Sequence, residues 1–206
     1  MIPTSKYKMY IVAAFTFAVA ATVAVMLPFC RQTTRSDETA FNIEALNDSI
    51  WYTKANFTKA LDVEGIRIAD LYMESDSGKV SLHAFITKPT LIFRYFDNNC
   101  SPCIRTENNL IKEYAGDISD RILFIGSFQS YHALQAYNRA NEINFTSLLV
   151  APDQLLSWEP DTHHGPYYFV LYPNGKASHF FMSVPEYTSY TKIYLEGINR
   201  LLTEKE

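Results

Sequence analysis

Hydrophobic positions follow two different patterns along this 206-residue chain. From Met9 to Cys30, MYIVAAFTFAVAATVAVMLPFC, no charge interrupts 22 residues. An α-helix needs about 20 apolar residues to cross the hydrocarbon core, so residues 1–30 are expected to form a transmembrane segment. Lys6 and Lys8 precede the run, Arg31 and Arg35 follow it, and Asp37 and Glu38 come only on the C-terminal side. This bias favours a cytoplasmic N-terminus. A cleaved signal with Ala18-Val19-Ala20 as its site, and a lipidated Cys30, are the alternatives. All three place the remainder outside the cytoplasm.

Residues 31–62 predict a linker, polar at Gln32–Glu38, followed by a helical spacer over Phe41–Leu61 that Gly65 ends. The pattern then shortens, and residues 63–206 are expected to form one domain. Ile66–Leu71 alternates, as a half-buried strand does, and Ser75-Asp76-Ser77-Gly78 is a turn before Val80-Ser81-Leu82. Thr90–Phe96 (TLIFRYF) and Arg121–Phe128 (RILFIGSF) are nearly continuous apolar runs, the mark of strands covered on both faces. Helical spacing marks Cys100–Tyr114 and Tyr131–Ile143, and strands are expected at Phe145–Val150 and Tyr167–Tyr172. Asn174-Gly175 is a hairpin signal before Ala177–Met182. Pro185 is expected to open a last helix with Ser183 as its N-cap. The fold class is therefore α/β, a mixed sheet flanked by helices.

Composition narrows the function. Charged residues are 19% and hydrophobic ones 48%, which excludes a disordered chain. The net charge is −4 and no Lys/Arg run exists, so no nucleic-acid partner is expected. Three cysteines are too few for a disulfide-stapled scaffold.

Two of those cysteines carry the candidate chemistry. Cys100-Ser101-Pro102-Cys103 follows a buried strand and opens a helix. Free N–H groups and the dipole at a helix N-terminus stabilise a thiolate, so Cys100 is a candidate nucleophile. Cys103, one turn on, can resolve a mixed disulfide. A structural disulfide is one alternative. A metal site completed by His163 and His164 is another. Gly165-Pro166 heads a buried strand, where a proline is unusual. A cis bond would explain it and would offer the loop's backbone to an extended peptide, whereas a trans proline at a strand start is commoner.

The segments TLIFRYFDNNCSPC and GPYYFVLYPNGK resemble the thioredoxin superfamily, and more closely its membrane-anchored TlpA/ResA-like branch. Gly175 lies nine residues after Pro166, as in that branch, and the likeness covers residues 63–203. It implies a thioredoxin-like fold and a thiol-disulfide oxidoreductase without a cofactor. Cys100 would be the nucleophile, Cys103 the resolving thiol, and Gly165-Pro166 the cis-proline loop. The partners implied are client protein disulfides and an upstream membrane electron donor. The implied location is a bacterial inner membrane with the domain in the periplasm.

Departures from the family pattern bear on proton transfer. Arg94 stands where thioredoxins carry a buried Asp, Asn99 where an aromatic precedes the motif, and Asn108 where a proline kinks the helix. Arg94 is expected at the sheet margin, paired with Glu107 or Asp97, or near the thiols, where it would favour thiolate. Glu107, four residues after Cys103, is expected to be a solvated helix-face charge, with substitute base as the alternative. His164 and His163 are expected as exposed loop residues, or as neighbours that acidify Cys100. The departures leave a rival reading open, a redox-inactive binding module for an envelope partner.

Overall fold

Segments made almost wholly of large apolar side chains are stable only where both faces are covered. In the computed structural model, which describes residues 47–151 and 165–204, the two such runs lie side by side inside one sheet. Among the described residues the strands are β1 (Tyr72–Ser75), β2 (Gly78–Ser81), β3 (Thr90–Phe96), β4 (Ile122–Ser127), β5 (Ser147–Val150), β6 (Tyr167–Leu171) and β7 (Ala177–Met182). They form a seven-stranded sheet in the order β2-β1-β5-β4-β3-β6-β7. β3, β4 and β5 run parallel; β6 is antiparallel to β3, and β7 to β6. The helices are α1 (47–63), α2 (Leu82–Phe85), α3 (Ser101–Tyr114), α4 (Tyr131–Ala140) and α5 (Thr188–Thr203).

This is the mixed sheet flanked by helices that the sequence pattern predicts. The order β3-α3-β4-α4-β5, then the β6–β7 hairpin and α5, is the order expected from residue 90 onward. The chain divides into two units, Met1–Tyr52 and Thr53–Glu206; the sheet and α2 to α5 belong to the second.

The pleat sends alternate residues of β3 to opposite sides. Leu91, Phe93 and Tyr95 join a core with Ile104 and Ile111 of α3, Leu134 of α4 and Leu195 and Ile198 of α5. Ile92 and Phe96 join a second core with Val63, Ile68, Leu82 and Phe180. The helices α3, α4 and α5 therefore share one face; for α3 and α4, right-handed crossovers in one direction require it. The turn that carries Cys100 lies at the C-terminal edge of β3, where open α/β sheets place their sites.

Several expected boundaries move. The alternating segment Ile66–Leu71 makes only a bridge, Arg67 to Lys176, and the strand comes later at β1. Asp70 is diverted from the sheet. Its carboxylate accepts from Ser81 Oγ (2.8 Å) and from the His83 N–H (3.0 Å) at the start of α2, and these hydrogen bonds hold it below its usual pKa. The turn at Ser75–Gly78 and the hairpin at Gly175, with φ +79°, stand where the sequence places them. A 3-10 turn, Pro185–Tyr187, precedes α5, so Ser183 does not cap the helix. Its N–H instead donates to the Pro166 carbonyl (3.1 Å). Among the described residues no helix is long and apolar enough to cross a membrane; Met9–Cys30 lies outside them.

Candidate active site

β3 ends in a tight turn that the sequence writes locally. The Asn99 side chain accepts the Phe96 N–H at 2.8 Å, and its own N–H donates to the Phe96 carbonyl at 3.1 Å. Asn is favoured there because its short side chain folds back on its own backbone. This accounts for Asn99 in place of an aromatic. Cys100 is then the N-cap of α3, and Pro102 lies in the first turn, where no N–H is needed.

Cys100 and Cys103 form a disulfide, with Cα atoms 5.2 Å apart. Cys100 is exposed and Cys103 half-buried. The Cys103 N–H points at Cys100 Sγ, 3.4 Å away. A donor so placed stabilises negative charge on the outer sulfur in the reduced protein. The sulfur of Cys100 is thus the more accessible of the two.

Below Cys103, one turn along α3, lies Glu107, and the structure corrects the expectation of a solvated charge. Glu107 is 1% exposed. Its Oε2 accepts from the Tyr168 hydroxyl at 2.6 Å, and its Oε1 has no hydrogen-bond partner among the described residues. Burial pushes the carboxyl above the usual range, a rise tempered by Ser183 and Tyr168. Ser183, also buried, lies close to this carboxyl.

Arg94 is corrected as well. It is fully buried in mid-strand, not at a margin, and its side chain leaves β3 on the face opposite to α3 and Glu107. The guanidinium donates to the carbonyls of Tyr95 (3.1 Å) and Ile125 (3.2 Å), and lies 4.2 Å over the Phe96 ring. The two residues therefore cannot pair, because the sheet separates them.

The Gly165–Pro166 bond is trans, as is every peptide bond among the described residues. β6 starts at Tyr167, so the missing proline N–H falls outside the ladder and no special isomer is required. The loop is half-buried at the head of β6. His163 and His164 lie outside the described residues, and among those residues no three metal-ligating side chains gather.

Sequence reasoning missed the docking of α3. Asn108 is buried and donates to the carbonyls of Asn141 (3.3 Å) and Glu142 (3.1 Å), beyond the C-terminus of α4. Arg105 donates to the Ala140 carbonyl (2.9 Å) and Lys112 to that of Glu142 (2.8 Å). The last carbonyls of a helix lack partners within it, and α3 supplies them. Asn108 thus has a use that a proline could not serve. Tyr168, which holds Glu107, was legible only as a packing residue.

No protein-family model matches the sequence, and comparison with curated proteins gives no match. Among solved structures, the chain is similar to the thioredoxin domain of a thiol-disulfide oxidoreductase from Bacteroides vulgatus. That match has 17% identity and a TM-score of 0.47, over 64% of this chain and 97% of that one. It is similar to a thiol:disulfide interchange protein from Bacteroides sp., at 15% identity and TM-score 0.45, over 64% of this chain and 90% of that one. It is also similar to the mitochondrial 2-cys peroxiredoxin from Plasmodium falciparum, at 17% identity and TM-score 0.45, over 70% of this chain and 97% of that one. Identities of this order carry no information about substrate.

Proposed function

We propose that this protein is a thiol-disulfide oxidoreductase that reduces disulfides of client proteins. The observation that carries the reading is the Cys100–Cys103 pair at the start of α3, outer sulfur exposed and facing the Cys103 N–H. In the reduced protein the Cys100 thiolate attacks one sulfur of a client disulfide. A mixed disulfide forms and the client's other sulfur leaves as thiolate. Cys103 then loses its proton, attacks Cys100 Sγ and expels the client's second sulfur. Two electrons have passed to the client, and the Cys100–Cys103 disulfide is the product. A dithiol donor must reduce it before the next cycle.

Glu107 is proposed as the acceptor of the Cys103 proton. Its carboxyl lies four residues on in the same helix, is buried, and has no hydrogen bond at Oε1 among the described residues. A carboxyl raised toward a thiol's pKa makes the transfer closer to balanced. Gly165 and Pro166 are proposed to border the client's path, with the trans geometry reported above.

The run Met9–Cys30 is proposed as a retained anchor that holds the domain outside the cytoplasm. Its length and lack of charge support this, and a CxxC disulfide is at home in an oxidising compartment. Retention of the protein in membranes after carbonate washing, with the domain open to protease in spheroplasts, is the expected result.

The enzyme reading is tested by insulin reduction with dithiothreitol as donor. The wild-type chain should accelerate it and Cys100→Ala should not. Equal rates for the two proteins would remove the enzyme reading and leave the binding module in its place.

A further inference from the structure

The last turn of α4 touches the residues on both sides of Cys100. Ser101 Oγ donates to Asn141 Oδ1 at 2.5 Å, and the Tyr137 hydroxyl donates to the Asn99 carbonyl at 3.4 Å. Asn141 is fully buried at the C-cap of α4, and its side-chain nitrogen donates to the Tyr137 carbonyl at 3.0 Å. Both ends of its amide are thus committed: the nitrogen to its own helix, the oxygen to the dipeptide between the cysteines. The contacts of Arg105, Asn108 and Lys112 fix α3 against the 140–142 segment but lie further along the helix, away from the motif.

We propose that Asn141 is a positioning residue for the Cys100–Cys103 couple, acting through Ser101. A hydrogen bond to Ser101 fixes the first turn of α3, and with it the direction of the Cys103 N–H toward Cys100 Sγ. That N–H interacts more strongly with a thiolate than with a disulfide sulfur, because hydrogen bonds to charged acceptors are the stronger kind. The fixed turn therefore favours the dithiol form over the disulfide. Removing the bond shifts the couple toward the disulfide and makes the protein the stronger reductant. The inference rests on the exchange reading above, because it concerns the poise of that pair.

The experiment equilibrates the full chain with mixtures of reduced and oxidised glutathione. Free thiols are trapped by alkylation, and the two forms are counted by mass. No client is needed. Ser101→Ala should move the equilibrium constant about fivefold toward the disulfide, the scale of one hydrogen bond, which is about 20 mV for a two-electron couple. Asn141→Ala should move it by the same factor, and the double variant no further. Ser101→Thr, which keeps a hydroxyl, should stay near wild type. Ser101 is only half-buried, so its variants test the point even where Asn141→Ala folds poorly. An unchanged equilibrium in Ser101→Ala, or effects that add in the double variant, would overturn the proposal. A wild type that equilibrates normally yet fails to reduce insulin would instead remove the client-reduction reading and leave this one standing.

Discussion

The two faces of β3 each bury one residue that normally carries charge, and they treat it differently. Arg94 lies under one face with carbonyls and an aromatic ring around its guanidinium. Glu107 lies against the other, with Tyr168 on one oxygen and no hydrogen bond on the second among the described residues. A buried ion whose donors are engaged acts as a part of the packing. A buried acid with such an oxygen, one turn from Cys103, is held at a cost that packing alone does not explain. The proton transfer proposed above therefore falls to the side of the sheet that carries α3. Arg94, on the opposite face, serves the other core.

Arg94→Ala puts the structural half of this contrast at risk and should have the largest effect. Deleting so large a buried side chain leaves a cavity, and the expected loss is about 3 kcal/mol or more in urea denaturation. Arg94→Met keeps the stem and should lose less, about 1–2 kcal/mol, from the carbonyl contacts. Neither variant should change the pH profile of disulfide exchange in the molecules that remain folded. A loss below about 1 kcal/mol for Arg94→Ala, or a changed profile for Arg94→Met, would reassign Arg94 to the thiol chemistry.

Much of this arrangement was open to a reader of the sequence, and the part that was not has a common cause. The strands β3, β4 and β6 were legible because burial on both faces leaves an apolar run that needs no knowledge of neighbours. The cysteine pair was legible because its chemistry depends on its own helix start. Glu107 was misjudged because a carboxylate in a helix reads as solvated. Tyr168 and Ser183, distant in sequence, lie against it and help to close it from water. Asn108 and Asn141 were missed for the same reason: they satisfy carbonyls or hydroxyls about 30 to 40 residues away in the chain. Arg94 was placed at a margin because charge is rarely buried, yet strand carbonyls and a ring next to it receive the guanidinium. The expected cis bond at Pro166 rested on the rarity of proline at the head of a buried strand, yet β6 begins at Tyr167, as expected, so the missing N–H lies outside the ladder and a trans bond suffices.

Glu107→Gln tests the chemical half. It keeps the shape and an acceptor for Tyr168 while removing the ionisable group. Resolution of a trapped Cys100 mixed disulfide should slow by about a hundredfold at neutral pH, the lower end of what a positioned base supplies. First attack by Cys100 should hardly change. Stability should move the other way. The folded-state pKa of Glu107 lies above its unfolded value, so its contribution favours the fold below the unfolded pKa and is lost as pH rises through the folded one. The variant lacks that loss, and its advantage over wild type should grow with pH, by about 1.4 kcal/mol for each unit separating the two values. Equal pH dependence in both proteins would mean that the carboxyl is not held in its protonated form.

Tyr168→Phe is the finest test, because it alters Glu107 without touching it. The hydroxyl donates to Glu107 Oε2, a bond that favours the ionised acid and so opposes the effect of burial. Removing it should raise the Glu107 pKa further and carry the basic dependence of the resolution step to higher pH. The stability cost should be only about 1 kcal/mol, since the ring stays packed between Phe93 and Tyr194. The corresponding change on the other face, Phe96→Leu beneath the Arg94 guanidinium, removes a contact of similar strength from the residue that the sheet separates from Glu107. It should cost comparable stability and leave the pH profile where it was. A profile that moves in Tyr168→Phe and stays in Phe96→Leu assigns proton transfer to the α3 face; profiles that move together would show that both buried groups answer to the sheet as a whole.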